Sequence, residues 1–137
     1  SEAEESPVVV SALGGKEIIQ VVADSRHSLA VTAQGEVYAW GSASSGRLGF
    51  EDTSDMPKDT AGDPYQAKPR LVEALKGKIM VQCAAADSYS FAVTKDGELY
   101  SWGCGMRGRL GHGEVTDMYK DSNGECYQPV PRLVAGL

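Results

Sequence analysis

Short apolar runs of four to six residues alternate with turn-forming residues along the chain, a length that indicates strands rather than helices. They are rich in β-branched and aromatic residues and are bounded by Gly, Asp, Ser or Pro, which is typical of β-strands. They predict strands at 18–23, 28–32, 36–41, 80–85, 90–94 and 98–103. Gly35 and Gly97 fall in the tight turns 33–36 and 95–98, where glycine supplies the positive φ of a hairpin turn.

The strand pattern occurs twice, because the sequence matches itself when it is shifted by 62 residues. Trp40 recurs as Trp102, and the Gly-Arg-Leu-Gly of 46–49 recurs at 108–111. Self-similarity at a fixed period indicates stacked copies of one supersecondary unit.

A fourth strand is predicted after a long loop in each unit, at 69–72 in the first and 131–134 in the second. Both begin with proline, which is tolerated at the first residue of a strand. Residues 7–10 match the same positions and predict an orphan strand, the last strand of a preceding unit.

The domain organisation follows from this repeat. We expect an acidic tail at 1–6, the orphan strand and its linker at 7–16, one unit at 17–72, a second at 79–134, and the start of another linker at 135–137. The acidic opening also fits a cut inside a longer protein.

The strands are apolar on both faces, which fits a sheet packed between two like sheets. The predicted fold class is all-β, with two four-stranded antiparallel blades of a β-propeller plus the orphan strand. A β-sandwich with internal duplication is the alternative.

Composition narrows the function classes. The 137 residues are 42% hydrophobic with a formal net charge of −6, which argues against direct binding of nucleic acid through a broad basic surface. No apolar run is long enough to span a membrane. Cys83, Cys104 and Cys126 form an odd set without a CxxC motif, which favours a reducing compartment, cytoplasmic or nuclear. No cofactor is expected.

Both copies resemble the repeat of the regulator of chromosome condensation family, a seven-bladed β-propeller. The resemblance covers 7–137 and rests on residues 27–32, 35, 37–41 and 46–49 in the first copy and on 89–94, 97, 99–103 and 108–111 in the second. It implies that Trp40, Trp102, Gly35, Gly97, Gly46, Gly49, Gly108 and Gly111 are scaffold residues of the blade.

The chain departs from the family pattern in three places. Asp24 and Ala86 stand where the family usually has glycine, and Tyr89 stands where it usually has histidine. The repeats are longer than usual, with the surplus in loops 50–68 and 112–130. Two blades cannot close a seven-bladed ring, so we expect the chain to self-associate or to pack against further blades.

The remaining motifs give little support for a nucleotide, metal or catalytic site. Residues 103–108 spell GxGxxG, but a poor helix former follows, so a scaffold turn is favoured over a dinucleotide site. His27 and His112 are not equivalent in the repeat. The spacing of His112, Cys104 and Cys126 matches no zinc-binding pattern, so no metal is expected. His27 is expected at a strand edge, bonded to a neighbouring loop. No catalytic constellation recurs, and the chain is not expected to be an enzyme.

The partner-binding candidates lie in the loops. Arg47 and Arg109 either tie down their turns through backbone carbonyls or form a ring that meets acidic partners. The two long loops share a pattern that includes Asp55, Lys58, Asp59 and Tyr65 in one and Asp117, Lys120, Asp121 and Tyr127 in the other. They either fold back over the blade edge or use their excess of acidic residues to attract a basic partner.

The sequence therefore predicts a non-catalytic protein-interaction module from a larger propeller. The resemblance also implies two alternatives: part of a guanine-nucleotide exchange factor for a Ran-like GTPase, or a propeller attached to a ubiquitin ligase or kinase. The ultraviolet photoreceptor of this fold is disfavoured, since it depends on clustered tryptophans and Trp40 and Trp102 are the chain's two.

Overall fold

A computed structural model describes residues 13–24, 26–104, 119–120 and 126–134. The strands of this part are β1 (Ile18–Ala23), β2 (His27–Thr32), β3 (Val37–Ser42), β4 (Tyr65–Leu71), β5 (Met80–Ala86), β6 (Tyr89–Thr94), β7 (Leu99–Cys104), β8 (Tyr119–Lys120) and β9 (Cys126–Leu133). Short 3-10 turns occur at Ser44–Gly46 and Glu73–Leu75.

The strands form two antiparallel sheets with matching topology. The first has the order β1-β2-β3-β4, and the second has the order β5-β6-β7-β9-β8. Equivalent registers recur, since Ser28 faces Trp40 in the first sheet and Ser90 faces Trp102 in the second. The two four-stranded blades predicted from the repeat are confirmed, and the short edge strand β8 was not expected.

The fourth strands differ from the prediction, because β4 and β9 begin several residues earlier and contain Pro69 and Pro131 in their interiors. Both prolines fall where the register with the neighbouring strand shifts, opposite Trp40 and Trp102. Proline fits there because a bulged residue does not have to donate a ladder hydrogen bond.

The hydrophobic core lies between the sheets, where β1 and β2 contact β5. It joins Leu29, Val31 and Val37 of the first sheet to Met80 and Trp102 of the second in one cluster. Trp102 is fully buried. A sheet that is covered by a like sheet explains why the strands are apolar on both faces.

The predicted orphan strand at 7–10 lies outside the described residues. In the part of the chain that the structure describes, no helix has the length and apolar character needed to cross a membrane.

Candidate functional site

A chain of buried hydrogen bonds crosses the interface between the sheets. His27 begins β2, and its Nε2 lies 2.9 Å from Oγ of Ser90 in β6. The Ser90 hydroxyl donates to the backbone carbonyl of Arg47 at 2.9 Å. His27 lies at a strand edge, as expected, and bonds the neighbouring loop through Asp24. Its ring is also buried and reaches the other sheet, which was not expected.

Asp24 holds the other side of the His27 ring. Asp24 Oδ1 lies 3.0 Å from His27 Nδ1 and accepts the backbone N–H groups of Arg26 and His27, each at 2.8 Å. Burial lowers the pKa of His27, and Asp24 offsets part of that effect. For Asp24, burial acts to raise the pKa, but the two backbone hydrogen bonds and His27 bring it below its usual value.

Arg47 ties down the turn that touches the second sheet. Its side chain is 5% exposed, its Nε donates to the Ser44 carbonyl at 2.8 Å, and Nη1 lies 3.5 Å from the Asp87 carbonyl. Burial lowers the pKa of the guanidinium. This geometry matches the structural alternative for Arg47, in which it bonds backbone carbonyls.

The glycines of 46–49 allow the same turn to pack closely on the second sheet. A Cβ at Gly46 would lie 2.6 Å from Cα of Pro129, and one at Gly49 would lie 3.1 Å from Nε1 of Trp102. Both glycines also have positive φ, which L side chains rarely adopt. Gly108 and Gly111 lie outside the described residues.

The first long loop is anchored by Met56 and exposes its charges. Met56 is 6% exposed, whereas Asp55, Lys58 and Asp59 lie on the surface. Asp59 Oδ1 accepts the backbone N–H groups of Ala61 and Asp63, at 3.0 and 2.9 Å, and so shapes the turn at the loop tip. The loop therefore both covers the core and presents acidic groups.

The two loops also contact each other. The Tyr119 hydroxyl donates to Oε2 of Glu51, and this bond raises the pKa of the phenol. The Tyr119 ring packs against Tyr127, with 5.6 Å between the ring centroids. Tyr65 and Tyr127 are half-buried. The surface around Glu51, Tyr119 and Tyr127, here called the rim, thus combines residues from both copies of the repeat.

Two clefts open at this rim and share Arg26. One, of about 370 Å³, is bounded by the 44–46 turn, Glu51 and Asp63 of the first loop, and Tyr127 of the second sheet. The other, of about 270 Å³, is lined among the described residues by Arg26, Arg47, Asp87 and Ser88. Arg26 is exposed and lines both clefts.

The structure places Asp55, Lys58 and Asp59 on the surface of the first loop, Tyr65 at the start of β4 and Tyr127 in β9, and it buries Arg47. The remaining partner-binding candidates are outside the described residues: Arg109, Asp117, Asp121 and the side chain of Lys120.

Sequence reasoning missed Arg26, Ser90, Glu51 and Tyr119. Ser90 carried a signal, because Ser28 occupies the same place in the first copy. Tyr119 carried none, because its repeat equivalent is Pro57.

Cys83 and Cys104 are the cysteines whose side chains the structure describes. Both are free and buried, and burial raises the pKa of the Cys83 thiol to about 11. The backbone N–H of Cys83 donates to Gln20 Oε1 at 2.7 Å, which adds another bond between the sheets. Cys83 therefore acts as a core residue.

Family models match most of the chain. The model described as the regulator of chromosome condensation (RCC1) repeat matches residues 34–93 and 96–137, and a second model with the same description matches 18–47. The human E3 ubiquitin-protein ligase HERC2 is 38% identical over 134 residues, which cover 96% of this chain and 2% of HERC2. The ultraviolet-B receptor UVR8 of Arabidopsis thaliana is 38% identical over 112 residues, which cover 82% of this chain and 23% of UVR8.

Solved structures show the same fold. Prp20p from Saccharomyces cerevisiae, described with its binding properties to Gsp1p and histones, superposes with a TM-score of 0.71 at 23% identity. The match covers 90% of this chain and 26% of Prp20p. Human WBSCR16 gives a TM-score of 0.61 at 26% identity over 87% of this chain and 25% of its own. The chain thus spans about a quarter or less of each of these proteins.

Proposed function

The chain belongs to the regulator of chromosome condensation (RCC1) repeat family, and from this premise we propose that it is a non-catalytic module of a larger propeller that binds another protein. Its binding surface would be the rim formed by the two long loops. The partner segment would be basic, because the described part of the first loop exposes Glu51, Asp52, Asp55, Asp59 and Asp63 against Lys58.

One observation supports the rim over the rest of the surface. The first loop is held at two points within its charged stretch, by buried Met56 and by the turn that Asp59 organises. A loop that is already ordered loses little conformational entropy when it binds. Its exposed carboxylates are therefore presented in a fixed arrangement.

The test uses Asp55→Asn and Asp59→Asn, since asparagine keeps an oxygen that can accept the turn hydrogen bonds of residue 59. Titration with a lysine-rich peptide, followed by calorimetry at low and physiological salt, should give binding that the double variant weakens about tenfold. The matched control is Asp96→Asn with Glu98→Gln, which removes the same charge from the exposed turn between β6 and β7. Equal weakening by both pairs would contradict a rim-specific site.

A second candidate is that the module is part of a ubiquitin ligase and recruits proteins to it. The 38% identity to HERC2 over nearly the whole chain favours it. If it is correct, deleting 17–134 from the parent protein should abolish ubiquitination of a bound substrate and leave self-ubiquitination intact. Flanking sequence without a ligase domain would contradict this candidate.

The exchange-factor hypothesis has its own test. The likeness to Prp20p is below 25% identity and concerns the fold, so exchange activity remains a proposal for this chain. Stopped-flow nucleotide release from a Ran-like GTPase, measured with the parent protein, would show acceleration if it is correct and the intrinsic rate if it is not.

A further inference from the structure

We propose that the outer faces of the two sheets bind each other between copies of this chain, so that the copies associate head to tail. The head face consists of Ile18, Val21, Ser28 and Trp40 of the first sheet. The tail face consists of Gln82, Phe91 and Leu99 of the second sheet, together with Gly97 in the turn between β6 and β7. The partner is a second copy of this chain, and both faces are independent of the rim and its acidic loops.

Strand alternation directs both faces away from the interface inside the chain. His27 of β2 bonds Ser90 of β6 across that interface. The adjacent residues Ser28 and Phe91 therefore point to the outer sides of their sheets. Trp40 is the register partner of Ser28 and shares its direction. The head and tail faces thus lie at opposite ends of the two-sheet stack.

The head face repeats a surface that is buried inside the chain. Val21 is the repeat equivalent of Cys83, and Trp40 is that of Trp102. Cys83 and Trp102 pack in the core between the sheets. Val21, in contrast, is 57% exposed, and Trp40 is half-buried. The first sheet therefore presents outward the same kind of surface that the second sheet presents to the core.

The tail face repeats the other side of the same interface. Gly97 and Leu99 are the repeat equivalents of Gly35 and Val37. Val37 is buried, and a Cβ at Gly35 would lie 2.6 Å from Cα of Ile79. Leu99 is half-buried, and a Cβ at Gly97 would meet nothing within 4 Å among the described residues. The second sheet therefore leaves open the surface that the first sheet uses inside the chain.

The two sheets also share the backbone geometry that such docking needs. Equivalent bulges occur in β1 and β5. Inside the chain, the backbone N–H of Cys83 donates to Gln20 Oε1 at 2.7 Å. Gln82, the repeat equivalent of Gln20, is exposed. It would accept the backbone N–H of Val21 in the second copy, which stands where Cys83 stands.

A second copy is the occupant that fits both faces, because the chain carries the matching surface for each. Terminal units of repeat proteins usually have a polar outer face that ends the stack. Here Val21 and Trp40 at one end and Phe91 and Leu99 at the other are apolar. A head face bound to a tail face is a heterologous contact, which leaves one free face of each kind on the dimer and lets further copies add.

Sedimentation velocity of the whole chain tests the proposal. The unaltered chain should be a monomer at high dilution and should exceed the mass of a dimer as its concentration rises through the micromolar range. Val21→Lys blocks the head face and Gln82→Lys blocks the tail face, and both positions are exposed. Each variant should weaken association at least about tenfold, because the buried lysine would lack a partner. An unaltered chain that stays monomeric throughout would overturn the proposal.

Mixing the two variants separates head-to-tail association from other kinds. Val21→Lys keeps its tail face and Gln82→Lys keeps its head face, so an equimolar mixture should form a heterodimer that grows no further. Complementation of this kind also shows that both variants are folded. A mixture that stays monomeric, or single variants that associate as the unaltered chain does, would overturn the proposal.

Ile19→Lys is the matched control. Ile19 is 50% exposed on β1, and its repeat equivalent Val81 remains 45% exposed although the second sheet packs against the first. Ile19 therefore lies outside the head face, and its lysine variant should associate as the unaltered chain does; a loss equal to that of Val21→Lys would contradict the assignment. Added salt should not weaken association, because it screens the repulsion between chains of net charge −6, whereas it weakens a basic peptide on the rim.

Discussion

The two copies of the repeat carry the same scaffold residues in different surroundings. Trp102 is fully buried against the first sheet, whereas Trp40, its equivalent, is half-buried. Gly35 is buried against Ile79, whereas a Cβ at Gly97 would meet nothing within 4 Å among the described residues. A repeated residue therefore gains its structural role from the neighbouring sheet. Gly35 shows the contact that the first copy makes with the second, and Trp102 shows the contact that the second copy makes with the first.

The largest expected effect separates the tryptophans. Trp102→Ala should lower the free energy of unfolding by about 3–5 kcal/mol, since it removes a fully buried ring. Trp40→Ala should cost about 1–3 kcal/mol, because the residue is only half-buried. Equivalent scaffold residues of the repeat are therefore expected to contribute unequally to stability. Urea unfolding of each variant measures the difference, and equal losses would contradict it.

The next comparison is between Gly35→Ala and Gly97→Ala. Both residues have positive φ, near 90°, so alanine costs about 1–2 kcal/mol at either position. At Gly35 the new Cβ would also lie 2.6 Å from Cα of Ile79, which raises the loss to about 2–5 kcal/mol. Thermal unfolding should show a lower midpoint for Gly35→Ala than for Gly97→Ala. A lower midpoint for Gly97→Ala would refute the close contact between Gly35 and Ile79.

A smaller effect is expected at the paired serines. Ser90→Ala removes the hydroxyl between His27 and the Arg47 carbonyl, which should cost about 1–3 kcal/mol. Ser28→Ala is the matched change in the first copy and should stay within about 0.5 kcal/mol. The same denaturant titration checks both, and similar values for the two serines would count against the buried hydrogen-bond chain.

The smallest effect is a pH dependence that belongs to the first copy alone. His27 has its pKa lowered in the folded chain, so its contribution is present above its ordinary value of about 6.5 and is lost as pH falls through the folded value. Stability should therefore decline below about pH 6.5. Asp24, whose pKa is also lowered, contributes above its ordinary value of about 4 and adds a loss in more acidic solution.

Unfolding midpoints recorded between pH 5 and pH 8 test this. His27→Gln should flatten the profile, whereas His112→Gln, which replaces the other histidine, should leave the His27 effect in place. A profile that keeps its slope in His27→Gln would assign the titration to another group.

Local pattern predicted six strands to within about one residue, because short β-branched and aromatic runs and the turns at Gly35 and Gly97 are local properties. The fourth strands were placed too late, since Tyr65 to Lys68 show no alternation and pair only through the register shift opposite Trp40. Such a shift depends on how the strand pairs with its neighbour, and the pattern of residues along the chain does not show that pairing.

The site was less accessible to sequence reasoning than the fold. Loop charges at Asp55 and Asp59 were visible, but the cleft around Arg26 requires the packing of two sheets. The bond between Tyr119 and Glu51 joins residues with no shared motif, so nothing in the repeat could indicate it.

Acrylamide quenching of single-tryptophan chains tests most directly the claim that contact between the sheets gives each copy its role. Trp40→Phe leaves Trp102 as the fluorophore, and Trp102→Phe leaves Trp40. We expect blue-shifted emission and slow quenching for Trp102, with red-shifted emission and quenching several-fold faster for Trp40. Equal quenching constants and emission maxima would contradict the account.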